Sequence, residues 1–312
     1  MSIVSSEVGI DVALAEVVVS IDQAKPLARP NTQEGAEQLA RELPAGCVVH
    51  LESSGGYERS VVRVLREAGI DVRIHNPLTA RRLAQGLGQK AKTDSIDARG
   101  LSANGHLLPA HKPKPAERQA LADFSRAIDA IKETIGIYKQ RHKMPEIDQA
   151  AKKAYGAVIK ALEKQAKDLE KQFVERIKRS SCKDPYALAK SVPCIGPVAA
   201  RVCICELPED LATQPPRSIS SYAGLAPVDR SSGKRTGPAH VARGNGRLKK
   251  GLYMAAVTAI RWEPWAKDLY ARLRAKGRTH DQAIVSVMRR LLLRVTCVLK
   301  RGSPWQDEPQ RA

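Results

Sequence analysis

Four carboxylates in the first hundred residues stand where chemistry on a phosphodiester would need them. Asp11 sits in the apolar frame Val8-Gly9-Ile10-Asp11-Val12. A carboxylate there has to be paired or metal-bound, because burying it alone is costly. Glu52 follows the β-branched run Cys47-Val-Val-His-Leu51 and precedes the turn Ser53-Ser54-Gly55-Gly56. Asp94 and Asp97, within Lys92-Thr-Asp-Ser-Ile-Asp-Ala98, are three apart and share one face of a helix. Thr93 or Asp94 could cap that helix. Strand-end carboxylates facing a helical pair make an oxygen-rich site for Mg²⁺ or Mn²⁺. Two such ions about 4 Å apart clamp the attacking and leaving oxygens of a phosphodiester. Taken singly, each carboxylate also has an ordinary reading: Asp94 as a cap, Asp97 as a surface charge, Glu52 as a turn residue. Asp11 resists its ordinary reading best.

The elements that must position these groups are short and alternate in kind. Glu7–Asp11 and Glu16–Ile21 read as two strands joined by a turn, Cys47–Leu51 and Asp71–His75 as two more, with Asn76-Pro77 stopping the last. Glu34–Leu43 and Tyr57–Ala68 have helical spacing between them. Two strands in hairpin order followed by β-α-β alternation predict an α/β domain with a mixed sheet.

The character changes near Pro115. Tyr155, Ile159, Leu162, Ala166, Leu169 and Phe173 recur at alternating spacings of four and three, a heptad seam for a coiled-coil arm that pairs with a partner or folds back on its neighbour. Lysines crowd its polar faces, so nucleic-acid contact is open to it as well. The stretch around Lys143–Tyr155 lacks clear apolar order. From about residue 180 the chain reads as helical with interruptions. Val192-Pro-Cys-Ile-Gly-Pro-Val198 resembles the turn of a helix–hairpin–helix, whose Gly lets backbone amides approach a phosphate. Arg289, Arg290 and Arg294 lie on a last helical stretch, Gly277–Leu299, and the tail beyond Gly302 is expected to fray. The expected division is 1–112, an α/β acidic domain; 113–180, the helical arm; and 181–312, a mainly helical domain.

Charge separates the halves. The chain carries 52 Lys and Arg against 33 Asp and Glu, yet residues 1–100 hold 12 against 13, so residues 101–312 hold 40 against 20. A basic excess confined to one part predicts a polyanion-binding surface. Arg230–Lys250 is its densest stretch: Arg230, Lys234, Arg235, Arg243, Arg247, Lys249 and Lys250, no acid, and four glycines. It reads as a flexible loop lying along a nucleic-acid backbone. Aromatics at 4% argue against a base-stacking platform. The six cysteines form no CxxC pair and read as reduced thiols, mostly buried, of a cytoplasmic protein, with Cys203-Ile204-Cys205 on either a strand or a buried helix. No apolar run reaches the roughly 18 residues of a membrane span, and no signal-peptide pattern opens the chain.

Gly9-Ile-Asp11, Leu51-Glu-Ser-Ser-Gly-Gly-Tyr57, Asn76-Pro77 and Lys92-Thr-Asp-Ser-Ile-Asp-Ala-Arg99 run in the order found in DEDD-type transposases of the insertion-sequence 110 family and the related pilin-gene-inverting recombinases. The second half resembles them too, through Val192-Pro-Cys-Ile-Gly196, Tyr222-Ala-Gly-Leu-Ala-Pro227, Ser232-Gly233, Gly244-Asn245 and Leu248-Lys-Lys-Gly-Leu-Tyr-Met254. The resemblance implies an RNase H/RuvC-like domain, a coiled-coil arm and a C-terminal transposase domain. It implies that Asp11, Glu52, Asp94 and Asp97 hold Mg²⁺ and that Ser232, with Ser231 beside it, is a nucleophile crowded by Arg230, Lys234 and Arg235. It further implies donor and target DNA as partners, a structured guide RNA, and a homodimer that assembles to a tetramer. A hydrolytic RNase H-like nuclease using water is the alternative, and a non-enzymatic nucleic-acid-binding protein the third reading. Without the resemblance, Ser231 and Ser232 read as ordinary turn serines.

Overall fold

The computed structural model describes residues 5–306 apart from 90, 92, 112–113, 209, 212, 233–234 and 242–243; residues 110–111, 228–232 and 235–240 are described in their backbone only. The chain divides into two compact units, Met1–Pro113 and Lys114–Ala312.

In the first unit, β1 (Glu7–Val12), β2 (Glu16–Ile21) and β3 (Leu27–Pro30) form an antiparallel meander. Next come α1 (Gln33–Glu42), β4 (Val48–Glu52), α2 (Arg59–Glu67), β5 (Asp71–His75), α3 (Pro77–Gly86), α4 (Asp94–Asn104) and a two-residue β6 (Ala110–His111). Thr32, Asn76 and Thr93 cap α1, α3 and α4 by accepting backbone N–H groups, so the cap of α4 is Thr93 and not Asp94. β4 lies parallel to β1 and β5 parallel to β4, giving the order β3-β2-β1-β4-β5-β6. This mixed sheet is consistent with the expected RNase H-like α/β domain.

Alternation along the strands assigns the two faces. Val8, Ile10, Val12, Val49 and Leu51 share one core with Ala36 and Leu39 of α1 and Val61 and Leu65 of α2. The residues between them, Gly9 and Asp11 on β1 and His50 and Glu52 on β4, therefore belong to the other face. There α4 lies directly on β1: a Cβ at Gly9 would fall 2.0 Å from the Ala98 carbonyl oxygen, so only glycine admits the helix.

The second unit is helical. α5 (Ala116–His142) and α6 (Gln149–Lys178) form a hairpin, followed by α7 (Lys183–Ser191), α8 (Pro197–Glu206), α9 (Pro216–Tyr222), the strand pair β7 (Pro227–Ser232) and β8 (Arg235–Val241), and then α10 (Gly246–Trp262), α11 (Pro264–Ala275) and α12 (His280–Arg301). Among the described residues no helix is long and apolar enough to cross a membrane.

The heptad seam folds back within its own chain. Ile159, Leu162 and Ala166 of α6 pack with Ile131, Ile135 and Tyr138 of α5, and the rings of Tyr138 and Tyr155 lie 5.8 Å apart. Phe173 and Leu169 continue into the main core of the second unit, with Leu121 and Ile128 of α5. The stretch without apolar order, around Lys143–Tyr155, contains the turn between the two helices, where Glu146 takes a positive φ of 56°.

Two further expectations are corrected. The stretch Arg230–Lys250 is not an open loop: it pairs as a β-hairpin and from Gly246 continues as α10. The tail is held as far as Trp305, whose amide donates to Ser191 Oγ at 2.7 Å while the Arg294 guanidinium stands 4.7 Å over its ring. Cation–π contact supplies an anchor that apolar spacing does not reveal.

Candidate active site

The first turn of α4 is brought to the C-terminal end of β1 by two contacts further back. Ser102 Oγ donates to the Glu7 carbonyl at 2.7 Å and accepts from the Gln23 amide at 3.0 Å. Ala98 lies over Gly9. Four helical residues rise about 6 Å and two strand residues about 6.6 Å, so α4 runs back along β1 and one more step sets Asp94 and Asp97 at the Asp11 end. The parallel register Gly9↔His50 and Ile10↔Leu51 places Glu52 beside Asp11 on the same face at the next level. Asp11, Glu52 and Asp97 are half-buried and Asp94 is exposed.

Glu52 and Asp97 line one cavity of about 150 Å³, together with Arg81, Gln89, Asn104 and the apolar Leu83, Leu101 and Leu108. Among the described residues, no three His, Cys, Asp or Glu side chains stand close enough to chelate an ion as they are. The donor set is all carboxylate, which suits a hard divalent cation. The backbone gathers the four residues, and the side chains would have to turn inward to share one ion.

Two local devices hold this end of the sheet. The turn after Glu52 is organised by Glu58, whose Oε2 accepts from Ser54 N (3.1 Å), Ser54 Oγ (2.7 Å) and Gly56 N (2.8 Å). Burial alone would raise the Glu58 pKa, but the donors on Ser54 and Gly56 outweigh it and hold the carboxyl below its ordinary value. Stability from such a depressed carboxylate is full above the unfolded pKa near 4.3 and is lost as pH falls through the folded value. Urea midpoints measured between pH 7 and pH 3 should therefore show Glu58→Gln less stable by roughly 1–2 kcal/mol at neutral pH, the difference shrinking below about pH 4.

One level beneath Glu52, His50 is fully buried. Its ring bridges Glu7 Oε2 at 2.5 Å and His75 Nε2 at 2.9 Å, and His75 Nδ1 meets the Pro109 carbonyl at 3.2 Å. Burial pushes the His50 imidazole down and the Glu7 carboxylate pulls the other way. This row ties β1, β4 and β5 together under the carboxylates.

In the second unit Ser232 is the last residue of β7 and pairs with Arg235, Ser231 pairs with Thr236, and an irregularity separates Val228 from Arg230. Gly233, Lys234 and Arg243 lie outside the described residues, as does Lys92. Arg247, expected to contact nucleic acid, is engaged inside the protein. Its Nε donates to Glu206 at 2.8 Å, and its Nη2 lies 2.7 Å from Asp129 and 3.1 Å from Ser125 Oγ. Lys249 is half-buried; Lys250 is exposed, its Nζ 3.8 Å from Glu133.

That engagement exposes a cluster the sequence reading missed. Glu206, only 3% exposed, also takes the Asn245 side chain at 3.2 Å and faces Lys114 at 3.6 Å and Arg126 at 3.7 Å. Burial lowers the Lys114 pKa, with Glu206 opposing it. Asp129 shares itself between Arg247 and the buried Arg201 at 2.5 Å. Tyr222 OH donates to the Glu206 carbonyl, and Asn245 N to the Tyr222 carbonyl. A Cβ at Gly244 would fall 2.1 Å from Gly224 N. The Tyr222–Pro227 and Gly244–Asn245 motifs are thus halves of one crossing. The available signal was a single carboxylate ending the apolar run Val202-Cys-Ile-Cys-Glu206. That run is buried helix: burial pushes the Cys203 thiol up to about 12 and Cys205 to about 11.

Two stretches of the chain match known protein families. A DEDD-type family model described as "Transposase" matches residues 8–143, and one described as "Transposase IS116/IS110/IS902 family" matches residues 186–271. The chain is 34% identical over 131 residues to the insertion element IS116 44.8 kDa protein of Streptomyces clavuligerus, 42% of this chain and 32% of that protein. It is 30% identical over 118 residues to the insertion element IS110 43.6 kDa protein of Streptomyces coelicolor, 38% of this chain and 29% of that one. These matches thus span about a third of the relatives' length. The pilin gene-inverting protein of Moraxella bovis is 25% identical over 289 residues, 88% of each chain. Two transposase models thus fall in order along the chain, which is similar in both halves to IS110-type transposases and pilin gene-inverting proteins.

Proposed function

We propose that this protein is a DNA transposase or recombinase that cleaves and rejoins strands through a covalent phosphoserine. The observation that carries the reading is the gathering of Asp11, Glu52, Asp94 and Asp97 at one end of one sheet face, inside the stretch matched by the DEDD-type model. Asp11, Glu52, Asp94 and Asp97 would hold a divalent cation, Mg²⁺ or Mn²⁺. Such an ion, when bound, supplies positive charge against the oxygens of the scissile phosphate.

Ser232 Oγ attacks phosphorus; the bond from phosphorus to the leaving sugar oxygen breaks as the serine ester forms. The serine proton passes to a base, and the leaving oxygen takes up a proton in its place. One phosphodiester replaces another, so no external energy is needed, and a sugar hydroxyl of a second strand reverses the step to rejoin DNA. Serine is a weak nucleophile without such help. Arg230, Lys234 and Arg235 flank it in sequence and would balance charge on the phosphate. A structured RNA that pairs with donor and target DNA is the further partner this reading takes, with two or four copies of the chain assembling on it.

The test is to incubate protein, Mg²⁺, labelled donor and target DNA and RNA transcribed from the flanking element, then denature and look for DNA on protein. An adduct formed by the wild type and lost in Ser232→Ala is the expected result. Cleavage without adduct in either would make the protein a hydrolytic nuclease and overturn the phosphoserine step.

A further inference from the structure

Six lysines of α6 form a single outward row. Lys153, Lys160, Lys164, Lys167, Lys171 and Lys178 follow one another at intervals of 7, 4, 3, 4 and 7 residues, and all six are exposed. At 3.6 residues per turn they fall within an arc of about 60°, and at 1.5 Å per residue the row is about 38 Å long. It lies well away from the face that packs on α5, where Ile159, Ala166, Phe173 and Ile177 are buried. Folding and packing of the hairpin therefore do not require these charges. Like charges at i,i+4 destabilise a helix by a few tenths of a kcal/mol per pair, a cost offset within the chain only in part, by Glu175 beside Lys178 and by Glu163 four residues before Lys167. The acids of α6, such as Glu163 and Glu170, point to the side and bind Lys139 and Lys132 of α5; the carboxylate of Glu175 near the row pairs with its last member, Lys178.

The row also leads somewhere. Lys167 and Lys171 line a cavity of about 610 Å³ together with Val174, Pro197 and Val198. Pro197 opens α8 after the Val192–Gly196 turn, in which Cys194 takes a positive φ of 65°. The start of a helix carries partial positive charge, so a strand following the lysines would approach a second favourable region, with Val198 as its first N–H because Pro197 has none.

We infer that the lysine row of α6 is a docking track for the phosphate backbone of double-stranded DNA, running from the hairpin to the start of α8. Its length is close to one turn of duplex, about 34–36 Å. Exposed lysines on flexible stems, with no aromatic among them, suit sequence-independent backbone contact. The choice of DNA over other polyanions rests on the proposed function; the row itself does not.

The salt dependence of binding tests it. Affinity for a 30-base-pair DNA of arbitrary sequence is measured by anisotropy from low to moderate KCl, for the wild type and for Lys160→Gln, Lys164→Gln, Lys167→Gln, Lys171→Gln together. A control removes the same charge at exposed Lys25, Lys183, Lys267 and Lys276. Each lost phosphate contact lowers the slope of log K against log salt by about 0.9, so the track variant should lose about 3–4 and the control less than about 1. Equal slopes in both variants, with helicity by circular dichroism intact, overturn the track. A slope lost only on an RNA stem of the same length overturns the choice of DNA. Adduct formation at saturating DNA reads the serine chemistry separately: a slope lost as expected with no adduct in the wild type upholds the track and sinks the proposed function.

Discussion

Exchanging Asp11 for Asn is expected to lower strand transfer by about 10²–10³-fold or more, a loss of the size seen when one preorganised charge partner is removed from a phosphoryl or acyl transfer site. The residue combines three properties that the other carboxylates hold only in part. It stands on a strand rather than a helix end or a turn, it neighbours Glu52 across the parallel register, and it faces the helix that carries Asp94 and Asp97. Asparagine keeps the volume and one oxygen but removes the charge a divalent cation requires. DNA affinity should hardly change, since the excess of basic residues lies after residue 100. The measurement is product yield against time at saturating DNA and Mg²⁺, beside an anisotropy titration. Full activity in Asp11→Asn would remove the carboxylates from the mechanism; lost activity together with lost DNA binding would assign Asp11 to binding instead.

Glu206→Ala should be the most damaging single change to stability outside the apolar core, by about 3–5 kcal/mol. The carboxylate is buried and receives Arg247 and Asn245 while facing Lys114 and Arg126. Removing it leaves Arg247 to Asp129 and Arg126 to Asp123, and takes the facing carboxylate from the largely buried Lys114. For a protein of this size a kcal/mol corresponds to roughly 2–4 °C, so the melting temperature should fall by about 10 °C in calorimetry. Glu206→Gln, which keeps acceptor and shape, should lose less. If Glu206→Ala melted within about 2 °C of the wild type, the cluster would be solvated and worth no more than a surface pair.

The cluster also marks where reading the sequence stops. β1, β2, β4 and β5 are legible because β-branched residues alternate or run together, and Asp94 and Asp97 announce a shared face by their spacing. Leu27-Ala-Arg-Pro30 carries no such pattern: it is an exposed edge strand whose pairing depends on β2, and its closing Pro is tolerated only at an edge. The glycines and arginines of 230–250 suggest an open loop, because hairpin pairing is a property of two segments and not of either composition. Counting positive charge groups Arg247 with Lys250, although one is consumed by Glu206 and Asp129 and the other is exposed. Charge is local in sequence, and its partner is not.

The closure of the heptad seam on α5 has a thermodynamic consequence. Chains that complete their cores only against a partner have no folded monomer, and their stability falls on dilution by mass action. Here Ile159, Leu162 and Ala166 are satisfied by Ile131, Ile135 and Tyr138 of the same chain. Folding of the hairpin is therefore first order in protein. Any assembly of several copies would be a separate equilibrium, built from protomers already folded and free to form and dissolve with concentration or with the nucleic acid that collects them.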